Sequence, residues 1–394
     1  MIKNFRKIKG VKRFFDKHFD EVFYFLKKRR FVKAYNLIWS QLWVRDLDGG
    51  KFDWIFRRFP QLAPYPKEIE IEITTRCYMK CIMCEHTHWK DENYRSQDMN
   101  FEQFKSIINQ FPHLRYINVT GEGTGFLNKD FFKMLDYLNK KNVNTMFVEN
   151  FDLFDEEKIK KIIDLDVERI EVSLDAATED TYKNIRIGAK WDRVMENLKK
   201  MREMKIKHKT PFPYIFFRLI AMKNNVHEIP ALARLIGELD INLGKITDFQ
   251  IVGLLSFPEI EHLNVENISE QIIKEADSIA KEMNINLIWS HTSNNCSSNN
   301  FCAKWLQPYI MIDGSAILDC ALMMENNRSQ LKRTSLGNLF NQNFREIWDS
   351  PRYQRIRKGI NKINGPVPKL CEGCRGYDTK QREKLFGIMS DNKN

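Results

Sequence analysis

Residues 69–85 read IEIEITTRCYMKCIMCE. The first part is apolar and β-branched, the texture of a strand, and it runs straight into Cys77, Cys81 and Cys84 within eight residues. A closed structural zinc takes four N or S ligands, and an iron–sulfur cube takes four thiolates, one per iron. Three thiolates on one short loop leave one iron without a protein ligand. The competing reading is a zinc knuckle completed by His86 or His88, although zinc motifs normally come as two spaced cysteine pairs.

Outward from this loop, strand-like and helix-like runs alternate. Upstream lie N-terminal helices and a connector with Pro60, Pro64 and Pro66. Downstream, helical spacing at 101–111 precedes a strand at 116–123, a helix at 130–141, a strand at 144–150 and a helix at 156–164. Then come a strand at 169–175, one long helix over about 178–205, a strand at 214–222, a helix at 227–239 and a sixth strand at 246–255. Such alternation predicts a parallel sheet with crossover helices. Six units without a glycine-rich dinucleotide turn predict an α/β fold, a partial (β/α)6 TIM-like barrel. In barrels the reactive groups gather at the C-terminal ends of strands, and the cysteines follow the first strand. The texture changes near residue 290. The expected domains are an N-terminal helical extension (1–66), the barrel (67–289) and a small domain at 290–394.

The spacing C-x3-C-x2-C after such a strand resembles the signature of the radical SAM superfamily. The resemblance implies that Cys77, Cys81 and Cys84 hold a [4Fe–4S] cluster whose fourth iron is chelated by S-adenosyl-L-methionine. Reductive cleavage of that cofactor yields a 5′-deoxyadenosyl radical, which takes hydrogen from a substrate; the protein binds, orients and excludes water. VTGEGTGFLN (119–128) stands where the family has a glycine-rich turn, with Thr124 and Gly125 in place of the usual Glu-Pro. The resemblance implies cofactor contact through Gly121, Glu122 or Gly123. RIEVSLDAATEDTYKNIR (169–186) is similar to the fourth-strand motif. By strand alternation Ser173 and Asp175 share a side, from which the family reaches the cofactor's carboxylate and ribose. Arg186 matches an arginine that approaches the carboxylate; otherwise it is a surface helix cation. Glu149, in FVENFDLF (147–154), is a candidate for binding a polar substrate or moving a proton, or else a solvated strand-end residue.

Three C-terminal stretches, FCAKWLQPYIMIDGSAILDCA (301–321), SLGNLFNQNFREIWDSPRYQRIR (335–357) and LCEGC (370–374), look like a SPASM or twitch domain. Cys302, Cys320, Cys371 and Cys374 suffice for one auxiliary [4Fe–4S] cluster, and a zinc site fits the same count. Cys296 is left over: a replacement ligand, a hydrogen-atom donor as in SPASM-type epimerases, or an ordinary free thiol.

Of the net charge of +11, residues 1–33 contribute a surplus of nine, with twelve Lys or Arg against three carboxylates. Nucleic-acid enzymes carry such charge around the working groove, and here it sits in a tail. Phe15, Phe19, Val22 and Leu26 fall at helical spacing among these charges. A basic amphipathic helix of this kind either touches an anionic membrane or acidic partner, or packs on its own domain. No apolar run long enough for a span or a signal peptide is visible, so a cytoplasmic enzyme with metal-held thiols is expected.

The expected function is oxidation or epimerisation of a small polar substrate such as a sugar, aminocyclitol or nucleotide-linked metabolite. Flavodoxin or ferredoxin would serve as reductant. The alternative within the family is a peptide maturase acting on a ribosomal precursor. Outside enzymes, the competing class is an electron-transfer or scaffold protein, which needs no cofactor-sized polar set.

Overall fold

The computed structural model describes residues 19–38, 59, 62, 64–254, 258–290, 306–318 and 328–359. Seven strands run parallel and pair in chain order: β1 (Glu68–Glu72), β2 (Tyr116–Thr120), β3 (Asn144–Glu149), β4 (Arg169–Ser173), β5 (Tyr214–Ala221), β6 (Thr247–Gly253) and β7 (Ile285–Ser290). Helices connect them, including Phe101–Ile108, Phe131–Lys140, Glu156–Asp164 and Ile229–Leu239. β7 extends the six-strand expectation by one unit. The sheet stays open. On the far side of β1 lies β8 (Pro308–Ile310), parallel to it, followed by the antiparallel β9 (Ser315–Leu318) and β10 (Gly337–Asn338). The C-terminal segment thus continues the barrel sheet.

Strand alternation divides the sheet into two faces. Ile69, Ile71, Ile117, Val119, Ile170 and Phe217 are buried in one core with helix residues such as Phe104, Met134 and Leu198. Each such side chain contributes about 1.5–3 kcal/mol by leaving water. Opposite positions, on the inner face, are polar on several strands: Asn118, Glu171, Ser173, Arg218 and Gln250. The helices begin on side-chain caps: Asn100 and Gln103 form a capping box, and Asp155 accepts from the Lys158 N–H.

The single helix expected over 178–205 is two. Glu179–Ile185 stops, Arg186–Ile187 pairs antiparallel with Lys80–Cys81, and Trp191–Lys207 starts again. Gly188 makes the break possible at φ +100°, where an added Cβ would lie 3.2 Å from the Tyr78 carbonyl oxygen.

At the base of the barrel, residues 19–27 and 31–38 are helical. Phe25, Ala34 and Leu37 pack on Phe212, while Asp166 accepts from Tyr24, Lys28 and Arg30. Lys33 is buried and donates to the Asp166 carbonyl at 2.9 Å. This segment therefore does pack on its own domain, through Phe25 and, of the expected face, through Val22, whereas Phe19 and Leu26 are exposed. Phe15 lies outside the described residues.

Candidate active site

The chain leaves β1 at Glu72 and reaches the first cysteine, Cys77, five residues later. Cys81 sits in the two-residue ribbon opposite Arg186, and Cys84 is the N-cap of the one-turn helix Glu85–His88. The Cys84 N–H donates to the Cys81 carbonyl at 3.2 Å, a tight turn that keeps these thiols adjacent. Burial pushes the Cys81 thiol up to about 11 and the Cys84 thiol well above its ordinary value. Thiols become thiolates on binding a metal, so this donor set, with Cys81 buried and Cys77 and Cys84 half-buried, suits a thiophilic centre. His86 and His88 bond to the carbonyls of Thr75 and Ile82 instead of turning towards the cysteines.

The glycine-rich turn closes over this loop. The Thr124 N–H donates to the Arg76 carbonyl at 2.8 Å, and the Thr124 hydroxyl lies 3.4 Å from Cys77 Sγ. Gly123 is required by close approach: a Cβ there would meet the Thr74 and Arg76 carbonyl oxygens at 2.6 Å. Gly121 lies beside Glu72. Ligand atoms of Cys84, Glu85 and Glu122 fall within 4.8 Å of one another. Burial, then the neighbouring Glu85, raises the Glu122 carboxyl well above the usual range.

Arg186 is buried and pairs with the fully buried Asp175 at 2.5 Å. Its Nη1 points at Cys81 Sγ from 3.9 Å, and its Nε has no partner. Asp175 also accepts from the Ile220 N–H at 2.8 Å, so it anchors the arginine. Arg186 is thus no surface cation. Ser173, by contrast, is only half-buried at the end of β4.

Glu149, at the end of β3, is 5% exposed and accepts from the Phe126 N–H at 3.4 Å. Burial raises its carboxyl to about 7, partly offset by the backbone N–H groups of Phe126, Asn150 and Gly125. That value suits a group that exchanges a proton near neutrality. It is not a solvated strand-end residue. Cys296, Cys302, Cys320, Cys371 and Cys374 all lie outside the described residues.

Two groupings escaped the sequence. The inner face carries a hydrogen-bonded chain: Glu171 pairs with Arg218 at 2.8 Å, Arg218 donates to Gln250 Oε1 at 3.1 Å, and Gln250 donates to Ser290 at 2.8 Å. Alternation alone groups Glu171 with Ser173, but only register brings in β5, β6 and β7. Behind the cysteine loop, fully buried Arg328 pairs with fully buried Glu72 and stacks on Trp89, 4.7 Å from the ring centroid. No spacing connects positions so far apart.

Residues 71–236 match the Radical SAM superfamily, and residues 302–375 match the SPASM iron–sulfur cluster-binding domain. The chain is a radical SAM enzyme with a SPASM domain. Family membership implies a [4Fe–4S] cluster with S-adenosylmethionine, and auxiliary iron–sulfur binding in the SPASM domain. The three thiols on one loop, the cradling turn and the orphaned Arg186 Nε fit that first cluster and its cofactor.

This radical SAM chain is 30% identical, over 45% of its length, to the tungsten-containing aldehyde ferredoxin oxidoreductase cofactor-modifying protein of Pyrococcus furiosus, of which it spans 49%. It is 25% identical over 54% of its length to a probable GTP 3',8-cyclase of Methanococcus maripaludis, spanning 68% of that protein. Its fold resembles Streptococcus suis SuiB bound to S-adenosylmethionine, with TM-score 0.56, 14% identity, and coverage of 87% of this chain and 74% of SuiB. SuiB bound to its precursor peptide SuiA has the same score and identity, with 83% of each chain covered.

Proposed function

We propose that this enzyme acts on a small polar metabolite, a sugar, aminocyclitol or nucleotide-linked molecule, oxidising an alcohol carbon or inverting a stereocentre. The carrying observation is the inner-face chain Glu171–Arg218–Gln250–Ser290, because hydroxyl-rich substrates need converging donors and acceptors. When bound, the first cluster and S-adenosylmethionine supply a 5′-deoxyadenosyl radical, and an auxiliary cluster supplies an acceptor for the electron an oxidation leaves. The protein's own share is positional. Asp175 holds Arg186 against the cysteine loop, where a guanidinium suits a carboxylate. Glu149 holds or releases a proton near neutral pH, as removal of an alcohol proton requires. Gly121, Glu122 and Gly123 line the turn beside the cysteines as cofactor contacts, with Ser173 at the strand end. Cys302, Cys320, Cys371 and Cys374 are proposed as ligands of a single auxiliary [4Fe–4S] cluster, and Cys296 as the hydrogen donor in an epimerisation. The second reading, a peptide maturase, draws support from the fold shared with SuiB.

Anaerobically reconstituted enzyme with dithionite and S-adenosylmethionine should be offered carbon-deuterated sugars, aminocyclitols and nucleotide sugars. Deuterium should enter 5′-deoxyadenosine from a member of that panel, and Arg218→Ala should raise its KM while leaving substrate-free cofactor cleavage unchanged. Deuterium transfer only from a precursor peptide would overturn the small-molecule assignment.

A further inference from the structure

Six of the eleven exposed large apolar side chains among the described residues lie on the two helices under the barrel, residues 19–27 and 31–38. Phe19, Phe23 and Leu26 recur at helical spacing on residues 19–27, and Phe31, Val32 and Tyr35 do so on residues 31–38. Four of these six are aromatic, and the Phe19 and Phe23 rings stack 6.1 Å apart. Lys27 at the end of the first helix and Arg29 in the connecting turn are exposed, while Lys28 between them pairs with Asp166 at 2.9 Å. Asp20, the exposed acid on these helices, is paired with Lys245 at 3.1 Å. The opposite faces are fixed by Phe25, Ala34, Leu37 and the Asp166 bonds, so this apolar face is presented rigidly outward.

We infer that these two helices dock the enzyme on an anionic lipid bilayer. Aromatic rings interleaved with cations are the pattern of an interfacial helix: rings enter the headgroup boundary while lysine and arginine meet anionic headgroups. Residues 19–33 carry five Lys or Arg against Asp20 and Glu21, and this positive surplus favours an anionic surface over an apolar protein partner. Among the described residues no helix is long and apolar enough to cross a membrane, so the contact is peripheral. Asp166 and Asn142 lie at the start of the strands that follow them, and the cysteine loop follows the end of β1. The docking face is therefore at the opposite end of the barrel from the site, and bound enzyme keeps its mouth open to dissolved substrate.

The test is co-sedimentation of the full chain with vesicles of phosphatidylcholine alone or with phosphatidylglycerol. Binding is expected only to the anionic vesicles, and it should fall at high salt as screening shortens the reach of the charges. Phe23→Ser with Phe31→Ser should lower partitioning about 100-fold by removing two buried rings. Lys27→Glu with Arg29→Glu should lower it at least about tenfold, with melting temperature and cofactor cleavage unchanged in both variants. No sedimentation of wild type with anionic vesicles overturns the inference. So does light scattering that shows a dimer which the Phe23→Ser, Phe31→Ser variant dissolves, because the face would then join two copies.

Discussion

Glu149 shows how one side chain couples pH to stability. Its folded carboxyl titrates near 7 because burial disfavours the charge, whereas an unfolded glutamate titrates near 4.5. A raised folded value means stability is fully present below the unfolded value and is lost as pH rises through about 7, by about 3 kcal/mol. Glu149→Gln keeps an acceptor for the Phe126 N–H and removes the charge. The variant should be more stable than wild type at pH 8 by about that amount, with the gap below about 1 kcal/mol at pH 5, by urea titration. Gly123 gives a second expectation. An alanine Cβ must displace two backbone carbonyl oxygens, so Gly123→Ala should cost about 1–3 kcal/mol and lower iron bound per chain after reconstitution. Both residues stood out in the sequence as motif members. The burial that sets the Glu149 titration did not, because it comes from the neighbouring 125–126 turn.

At the scale of elements, the broken helix is the instructive case. Residues 179–207 are polar and periodic enough to read as one helix, and local propensity favours it. The ribbon between Arg186–Ile187 and Lys80–Cys81 interrupts it, because pairing there seats Arg186 against Asp175 and Cys81. Removing the guanidinium strands a buried carboxylate. Arg186→Ala should lose about 3–5 kcal/mol of stability, and Asp175→Asn added to it should recover part of that loss, measured as urea midpoints. The strands were easier to read than this break: residues 144–149 and 169–173 lie within their expected ranges, and the helix Glu156–Asp164 has its expected bounds. Their periodicity is strong, whereas INLIWS at β7 is a short apolar run that cannot by itself be told from a helix end.

Across the whole molecule, the Arg328–Glu72 pair fastens the C-terminal segment to the first barrel strand just ahead of the cysteine loop. The Ile312 N–H donates to the same glutamate at 2.9 Å, and ahead of the other end of that strand Tyr65 meets Phe344 and Trp348. Arg328→Met leaves the buried Glu72 without its cationic partner, and should cost about 3–5 kcal/mol. Glu72→Gln combined with Arg328→Met should be markedly more stable than Arg328→Met alone, since the amide still accepts from Ile312. A double-mutant cycle in urea checks this; additive losses would mean the two side chains are not coupled.

Fold class, the three-cysteine loop and the family were legible in the chain itself, because each rests on local periodicity or on ligands close together in sequence. The inner-face chain from Glu171 to Ser290, the seating of Arg186 and the lock between Glu72 and Arg328 were not. Their partners are remote along the chain, and strand register and burial, which only the assembled sheet establishes, bring them within bonding distance.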